Sequence, residues 1–279
     1  MRYWRATVAC PIFLLPELEA LEISCVNIGQ PNRAGGETDT SEKLHSFNRQ
    51  TNLKSLTITE SNISATALKS ILSLPKALQS LSYCETIYHM SNPSDVFATG
   101  DMNTLNDALA QQSESLTHLN IIAAALRVRV LSLKLSDFKA LVSLRLGSFI
   151  EQTVISWTLS HPIPPALEVL QLIEASHHRP DDLFLAVKID SFLASAVKRS
   201  APFTLDLIGQ PVSKKYYYNF SERFNKRLIA LLGPSDARSM LSDPSLSLQF
   251  THIHRRGSIP PYLYGEQKPL ETRLLINPT

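Results

Sequence analysis

The stretch Leu53-Lys54-Ser55-Leu56-Thr57-Ile58 decides the fold, because its spacing of apolar residues recurs along the chain. Apolar side chains occupy the first, fourth and sixth positions of this phrase, L-x-x-L-x-L. The six copies have these residues at the three positions: Leu18/Leu21/Ile23, Leu53/Leu56/Ile58, Leu78/Leu81/Tyr83, Leu116/Leu119/Ile121, Leu141/Leu144/Leu146 and Leu167/Leu170/Leu172. Alternation in the second half of the phrase predicts a short β-strand with one buried side.

The copies recur at intervals of 25 to 38 residues. One such strand cannot bury its apolar side alone, whereas an identical neighbour can cover it, so the pattern predicts leucine-rich repeats stacked into a solenoid. We therefore expect an α/β fold with a curved parallel sheet inside and helices and loops outside. The prediction is a single domain over residues 1–279, with recognisable repeats at about 16–175 and degenerate repeats and a C-terminal cap at about 176–279.

Helical periodicity separates several of the predicted strands. Ala65, Leu68, Ile71 and Leu72 share one helical face, with Ser64 as a cap and Pro75 as a stop. Three further helices are predicted, one around Leu105, Ala108 and Leu109, one over about 181–199, and one over about 221–232 that ends at Gly233-Pro234. Polar insertions at 30–50 and 89–101 predict long surface loops, and the alternating stretches 203–207 and 246–250 predict degenerate strands.

Composition excludes several partner classes. Lys plus Arg number 27 and Asp plus Glu 25, a net charge of +2, which is too balanced to favour nucleic acid or an anionic membrane. Three scattered cysteines favour a reducing compartment, so we expect a cytoplasmic or nuclear protein. Residues 2–15 faintly resemble a signal peptide, but Pro11 interrupts the apolar run, and a strand leading into the first repeat fits as well. Asn62-Ile63-Ser64 matches a glycosylation acceptor, which matters only in a secreted chain.

Three passages resemble the leucine-rich repeat regions of fungal F-box-like proteins. They are residues 63–81 (ISATALKSILSLPKALQSL), 109–119 (LAQQSESLTHL) and 163–170 (IPPALEVL). The resemblance covers roughly residues 16–175. It implies a non-catalytic scaffold that recognises a protein substrate for a cullin-type ubiquitin ligase.

The chain departs from that family in two respects. Only fifteen residues precede Pro16, too few for the helical F-box, so an F-box-less relative, a fragment and a shortened gene model all stay open. The ninth repeat position, where many repeats use Asn or Cys to bond the turning backbone, is held here by Val26, Ser61, Thr86, Ala124, Phe149 and Ala175. Without an asparagine ladder, we expect irregular turn geometry.

Motifs of catalysis are absent from the sequence: it has no Gly-rich phosphate loop, H-E-x-x-H, C-x-x-C or G-x-S-x-G. The remote alternative is a metal-dependent enzyme using His177 and His178 with the carboxylates of Asp181 and Asp182. A polar loop whose aspartates precede a helix explains the same residues. The Lys214–Tyr218 patch is read as a solvated edge or a partner contact. We therefore expect no enzyme activity, no metal and no cofactor.

The remaining candidate site is the sheet face opposite the core. Residues at the third, fifth and seventh positions of each phrase alternate with the buried ones and line the inner, concave face. We predict a protein-binding site there, on a monomer, with neither nucleic acid nor membrane as partner. The predicted contact residues are Glu22, Ser55, Thr57, Thr59, Ser80, Ser82, His118, Asn120, Ser143, Arg145 and Gln171.

Overall fold

The computed structural model describes residues 4–6, 11–28, 47–85, 102–123, 135–148, 163–174, 203–209, 222, 226, 229–230, 233–236, 246–253 and 271–275. The chain divides into two compact units. Unit 1 is Met1–Val142 with Pro164–Ala166, and unit 2 is Ser143–Ile163 with Leu167–Thr279. The predicted single domain over 1–279 stays a prediction.

Among its described residues, unit 1 contains six strands, and all their pairings are parallel. The strands are β1 (Trp4–Ala6), β2 (Ala20–Ser24), β3 (Val26–Ile28), β4 (Ser55–Ile63), β5 (Ser80–Glu85) and β6 (His118–Ala123). Strand β4 pairs with β2 along its first half and with β3 along its second half, and β1 pairs with β3. Strands β5 and β6 follow in order on the other side of β4.

The register places each phrase position beside the same position of the next copy. The fourth-position residues Leu21, Leu56, Leu81 and Leu119 form one row across four strands, and Ile23, Ile58, Tyr83 and Ile121 form the sixth-position row. Except for Ile23, which is half-buried, these side chains are at most 8% exposed. Since a shift of one residue would turn every apolar side chain outward, burial fixes this register.

A repeated main-chain hook joins the strands at their N-terminal ends. The carbonyl oxygen of Glu19 accepts hydrogen bonds from the N–H groups of Lys54 and Ser55, at 2.7 and 3.0 Å. The carbonyls of Lys54 and Gln79, at the same second phrase position, each accept two N–H groups from the next copy in the same way. Each copy is therefore anchored to the previous one before its strand begins.

Two helices follow strands of unit 1, as parallel strands require a crossover. Helix α1 (Ala65–Ser73) has Ser64 as its N-cap, where Ser64 Oγ accepts from the Ala67 N–H at 3.2 Å. Helix α2 (Met102–Ala110) packs against α1, and Lys69 and Asp107 join them by a 2.8 Å ion pair. Short 3₁₀ helices occupy Pro11–Leu14 and Leu135–Asp137. The predicted inward residues of both α-helices are at most 2% exposed.

A buried glutamine ties two copies together beside the helix ends. Gln112 is 2% exposed, and its Nε2 donates to the carbonyls of Leu72 (2.8 Å) and Pro75 (3.1 Å). Its Oε1 accepts from the Leu78 N–H and the Ser115 hydroxyl, both at 3.0 Å. Because all these groups are removed from water, the loss of Gln112 would leave several backbone atoms unsatisfied.

Unit 2 repeats the parallel arrangement and ends with an antiparallel strand. Strands β7 (Ser143–Ser148), β8 (Val169–Glu174), β9 (Phe203–Gly209) and β10 (Leu246–Ile253) pair in parallel, and β11 (Glu271–Leu275) pairs antiparallel with β10. Leu144, Leu170, Leu205 and Leu248 lie in one row. The predicted degenerate strands are thus present and in phase with the recognised phrases, whereas β11 was not predicted.

The α/β class predicted from the sequence is confirmed. Of the predicted 221–232 helix, the described residues Glu222, Lys226, Ile229 and Ala230 are helical. Gly233 adopts a φ of 82° and its N–H bonds to the Ile229 carbonyl at 2.9 Å, the left-handed cap expected of glycine at a helix end. The predicted 181–199 helix and 89–101 loop lie outside the described residues, as does the 30–50 loop except for 47–50.

Candidate binding surface

The open face of unit 1 is the side of the sheet opposite the core. It consists of the residues at the third, fifth and seventh positions of the copies on β2, β4, β5 and β6, where the seventh position is the residue directly after the six-residue phrase. The register sets like positions side by side, so that Glu22, Thr57, Ser82 and Asn120 form the fifth-position row. Ala20, Glu22, Ser24 and His118 are exposed, and the remaining members are half-buried: Ser55, Thr57, Thr59, Ser80, Ser82, Cys84, Asn120 and Ile122. The predicted contact residues of unit 1 therefore do share one surface.

Hydrogen bonds between neighbouring copies fix several side chains of the open face. The hydroxyls of Ser24 and Thr59 share a hydrogen bond of 2.6 Å, and Asn120 Nδ2 donates to Ser82 Oγ at 2.8 Å. At the N-terminal margin, Thr117 Oγ1 lies 2.9 Å from His118 Nδ1. The first two of these bonds run across strands, so they hold the polar groups that they join at the spacing of the sheet.

The open face carries little charge. Its only carboxylate is Glu22, and it holds no Lys or Arg. The ion pairs of unit 1 that the structure describes lie elsewhere, between Lys54 and Glu19 (2.7 Å), Lys69 and Asp107 (2.8 Å), and Lys139 and Glu114 (3.5 Å). The open face therefore presents mainly neutral hydrogen-bonding groups and the single charge of Glu22.

The backbone is kinked directly after the open-face residues Ser24 and Thr59. Cys25 and Glu60 occupy the same eighth phrase position, and both adopt positive φ angles, 57° and 48°. The β4–β5 register also shifts between Ile58 and Ser61, as in a β-bulge. The backbone of these two copies is therefore irregular one position before the ninth, at which the sequence has no asparagine.

Ser61 supplies one link of the ladder that the sequence lacks. Its Oγ accepts from the Val26 N–H at 3.2 Å and donates to the Thr59 carbonyl at 2.7 Å. The side chain thus satisfies turning backbone in two adjacent copies, which is the work assigned to asparagine or cysteine at this ninth position. Pairing of β4 with β2 and β3 keeps one register from Ser24–Thr59 to Asn27–Asn62, and this places the Ser61 hydroxyl beside the Val26 N–H.

Two titratable groups near this kink are held in their neutral forms. Burial raises the pKa of the Cys25 thiol above its ordinary value, and the charge of Glu60 raises it further. Burial, assisted by the charge and hydrogen bond of Glu85, raises the pKa of the Tyr83 hydroxyl well above its usual range. Tyr83 therefore remains a donor, and its hydroxyl lies 3.1 Å from Glu85 Oε1.

The corresponding face of unit 2 is more closed. Ser143, Arg145 and Gln171, predicted as contact residues, lie on it and are half-buried. Asp206 and Ile173 project from the same side, yet are only 3% and 5% exposed, and Gly147 is also buried. Gln171 Nε2 donates to Asp206 Oδ2 at 3.1 Å. Gln171 and Asp206 of this face therefore already bond to each other.

Asp206 is a buried polar residue of this face that sequence reasoning missed. It occupies the fifth position of a copy without the leading leucine, so the phrase did not include it. The available signal was the alternation in Phe203-Thr204-Leu205-Asp206-Leu207. It places Asp206 on the side of the strand that faces away from Leu205 and Leu207.

The other sequence candidates gain no structural support. The His177–Asp182 cluster and the Lys214–Tyr218 patch lie outside the described residues. Among the described residues, no three His, Cys, Asp or Glu side chains form a metal-binding group. Asn62 of the glycosylation pattern lies within β4, and the Ser64 hydroxyl of the same pattern caps α1.

In the part of the chain that the structure describes, no helix has the length and apolar character needed to cross a membrane. A scan against models of protein families finds no match to this chain, and neither a search of curated proteins nor a search of solved structures gives one.

Proposed function

We propose that the chain is a leucine-rich repeat solenoid with a non-catalytic role, and that the open face of unit 1 binds a segment of another protein. The observation that carries this proposal is the register, which buries the fourth and sixth phrase positions and sets the third, fifth and seventh in continuous rows. Such a surface is held by the core and by the backbone hooks, so its polar residues are free to serve recognition.

Burial favours unit 1 over unit 2 as the binding site. All twelve members of the open face are exposed or half-buried, whereas Asp206, Ile173 and Gly147 on the corresponding face of unit 2 are buried. A partner has to reach the polar groups it recognises. The proposed contacts are therefore Glu22, Ser55, Thr57, Thr59, Ser80, Ser82, His118 and Asn120, and Ser143, Arg145 and Gln171 are secondary.

A narrower form of the proposal is substrate recognition for a cullin-type ubiquitin ligase. Its support is the resemblance of residues 63–81, 109–119 and 163–170 to fungal F-box-like repeat regions. Copurification of a ligase adaptor with the tagged chain is the direct measurement. If no adaptor copurifies, the narrower form fails and the binding role stands.

Site-specific photo-crosslinking tests the binding role. A photoreactive amino acid replaces Thr57, in the centre of the open face, and in a matched variant it replaces Thr66, which is exposed on α1. In cells of the source organism, we expect a discrete crosslinked protein from the Thr57 variant and none from the Thr66 variant. Equal crosslinking from both positions, or none from Thr57, would contradict the proposal.

A further inference from the structure

Four hydroxyl side chains form a two-by-two block in the open face of unit 1. Ser55 and Thr57 of β4 lie in register with Ser80 and Ser82 of β5. Residues two apart along a strand are separated by about 6.6–6.8 Å, and neighbours across strands by about 4.8 Å. The main-chain groups along one edge of an extended peptide also recur at intervals of about 6.6–6.8 Å. A peptide that runs parallel to β4 and β5 therefore matches the spacing of the hydroxyls, whereas a peptide that crosses the strands does not.

The chemistry of the block suits main-chain groups. A hydroxyl both donates and accepts, so one Ser or Thr serves either a peptide N–H or a peptide carbonyl. At the edge of the block, Ser82 Oγ accepts from Asn120 Nδ2 of β6, which fixes the orientation of the Asn120 amide. The hydroxyls of the block therefore lie beside an amide whose orientation is already set.

Charge adds a preference for one side chain of the ligand. Glu22 is exposed on β2, next to Thr57 in register, and takes part in none of the ion pairs that the structure describes. No other Asp, Glu, Lys or Arg occupies the open face. A ligand lying along β4 and β5 places alternate side chains toward β2, where Glu22 attracts a Lys or Arg.

We propose that the open face takes an extended peptide segment of about five residues, aligned with β4 and β5, bound through its main chain and carrying a basic residue beside Glu22. This length follows from β2 and β5, which span five and six residues. The inference rests on the proposed binding role and adds to it the conformation, direction and charge of the partner segment.

The test uses random heptapeptides displayed and selected on the full chain. We expect selected sequences to share a Lys or Arg at one position. The best peptide should bind Glu22→Gln about two- to fivefold more weakly than the unaltered chain, the range of an exposed ion pair. Glu17→Gln is the matched control, since Glu17 is exposed in the turn before β2, outside the open face, and should bind unchanged.

A second measurement tests the main-chain contacts. N-methylation of alternate peptide amides removes the N–H donors of one edge of the peptide. A peptide methylated on the edge that faces the sheet should bind about tenfold more weakly. Thr57→Val, which keeps the shape and removes the hydroxyl, should also weaken binding. The proposal is overturned if no peptide is selected, if no basic residue is enriched, if Glu22→Gln and Glu17→Gln bind equally, or if methylation of either edge is without effect.

The outcomes separate this inference from the proposed function. A partner crosslinked through Thr57 together with negative peptide results leaves the binding role standing and removes the extended basic segment. Failure of both experiments removes both.

Discussion

The corresponding faces of the two units are built from the same phrase positions, yet they differ in what they expose. In unit 1, the seventh-position Ile122 and the fifth-position Asn120 are half-buried, whereas in unit 2 Ile173 and Asp206 at those positions are 5% and 3% exposed. Position in the phrase therefore decides which side of the sheet a residue occupies. It does not decide whether that side meets solvent.

The largest expected loss of stability comes from the buried seventh-position isoleucine of unit 2, and the half-buried one of unit 1 serves for comparison. Ile173→Asp places a charge at a buried site and should lower the free energy of unfolding by about 3 kcal/mol or more. Ile122→Asp should cost only about 1 kcal/mol, because its carboxylate can reach water. Urea unfolding, with hydrogen exchange at β8 and β6 to assign the affected unit, measures both. Equal losses would mean that the two faces are equally open.

Within unit 1, a second pair of variants separates the interior from the open face. Gln112→Ala should lower the free energy of unfolding by about 2–4 kcal/mol, because the Leu78 N–H and the Leu72 carbonyl lose a buried partner. Asn120→Ala removes one bond on the open face and should cost about 0.5–1 kcal/mol. The same urea titration applies. A loss of under 1 kcal/mol for Gln112→Ala would show that the backbone there finds other partners.

The smallest expected effect is on the reactivity of Cys25, which lies at the kink at the end of the open face. Because the pKa of Cys25 is raised, its thiolate fraction at pH 8 is below that of an ordinary cysteine, and iodoacetamide should modify it slowly. Glu60→Gln removes the smaller of the two causes, so the pKa should fall and modification should become faster, while burial keeps it slower than in an unfolded peptide. Peptide mapping by mass spectrometry follows Cys25 alone. An unchanged or slower rate in Glu60→Gln would contradict the assigned cause.

The sequence could predict the strands and their register because both depend on the alternation of apolar residues, which burial enforces. It could also predict α1, where the Ser64 cap and Pro75 stop are local signals. The positive φ angles of Cys25 and Glu60 could not be predicted, since neither residue favours that region and the register of neighbouring strands imposes it. Likewise, Gln112 resembles a surface glutamine in sequence, and only the meeting of two copies buries it.

For the candidate site, alternation correctly grouped the polar residues of each unit on one side. It could not distinguish the open face of unit 1 from the closed face of unit 2, because contacts distant in sequence determine exposure. The role of Ser61 was hidden for a related reason: the expected residue at its position was Asn or Cys, and only pairing with the neighbouring copy brings its hydroxyl to the Val26 N–H.

The backbone hook at the second phrase position bears on how such a chain evolves. Glu19, Lys54 and Gln79 differ in charge and size. The main-chain carbonyl of each nevertheless accepts hydrogen bonds from the N–H groups at the second and third phrase positions of the next copy. The joint is thus indifferent to the side chain that carries it. A duplicated or deleted copy inherits a working joint at once, so recombination can lengthen or shorten the stack while the side chains of each copy diverge freely.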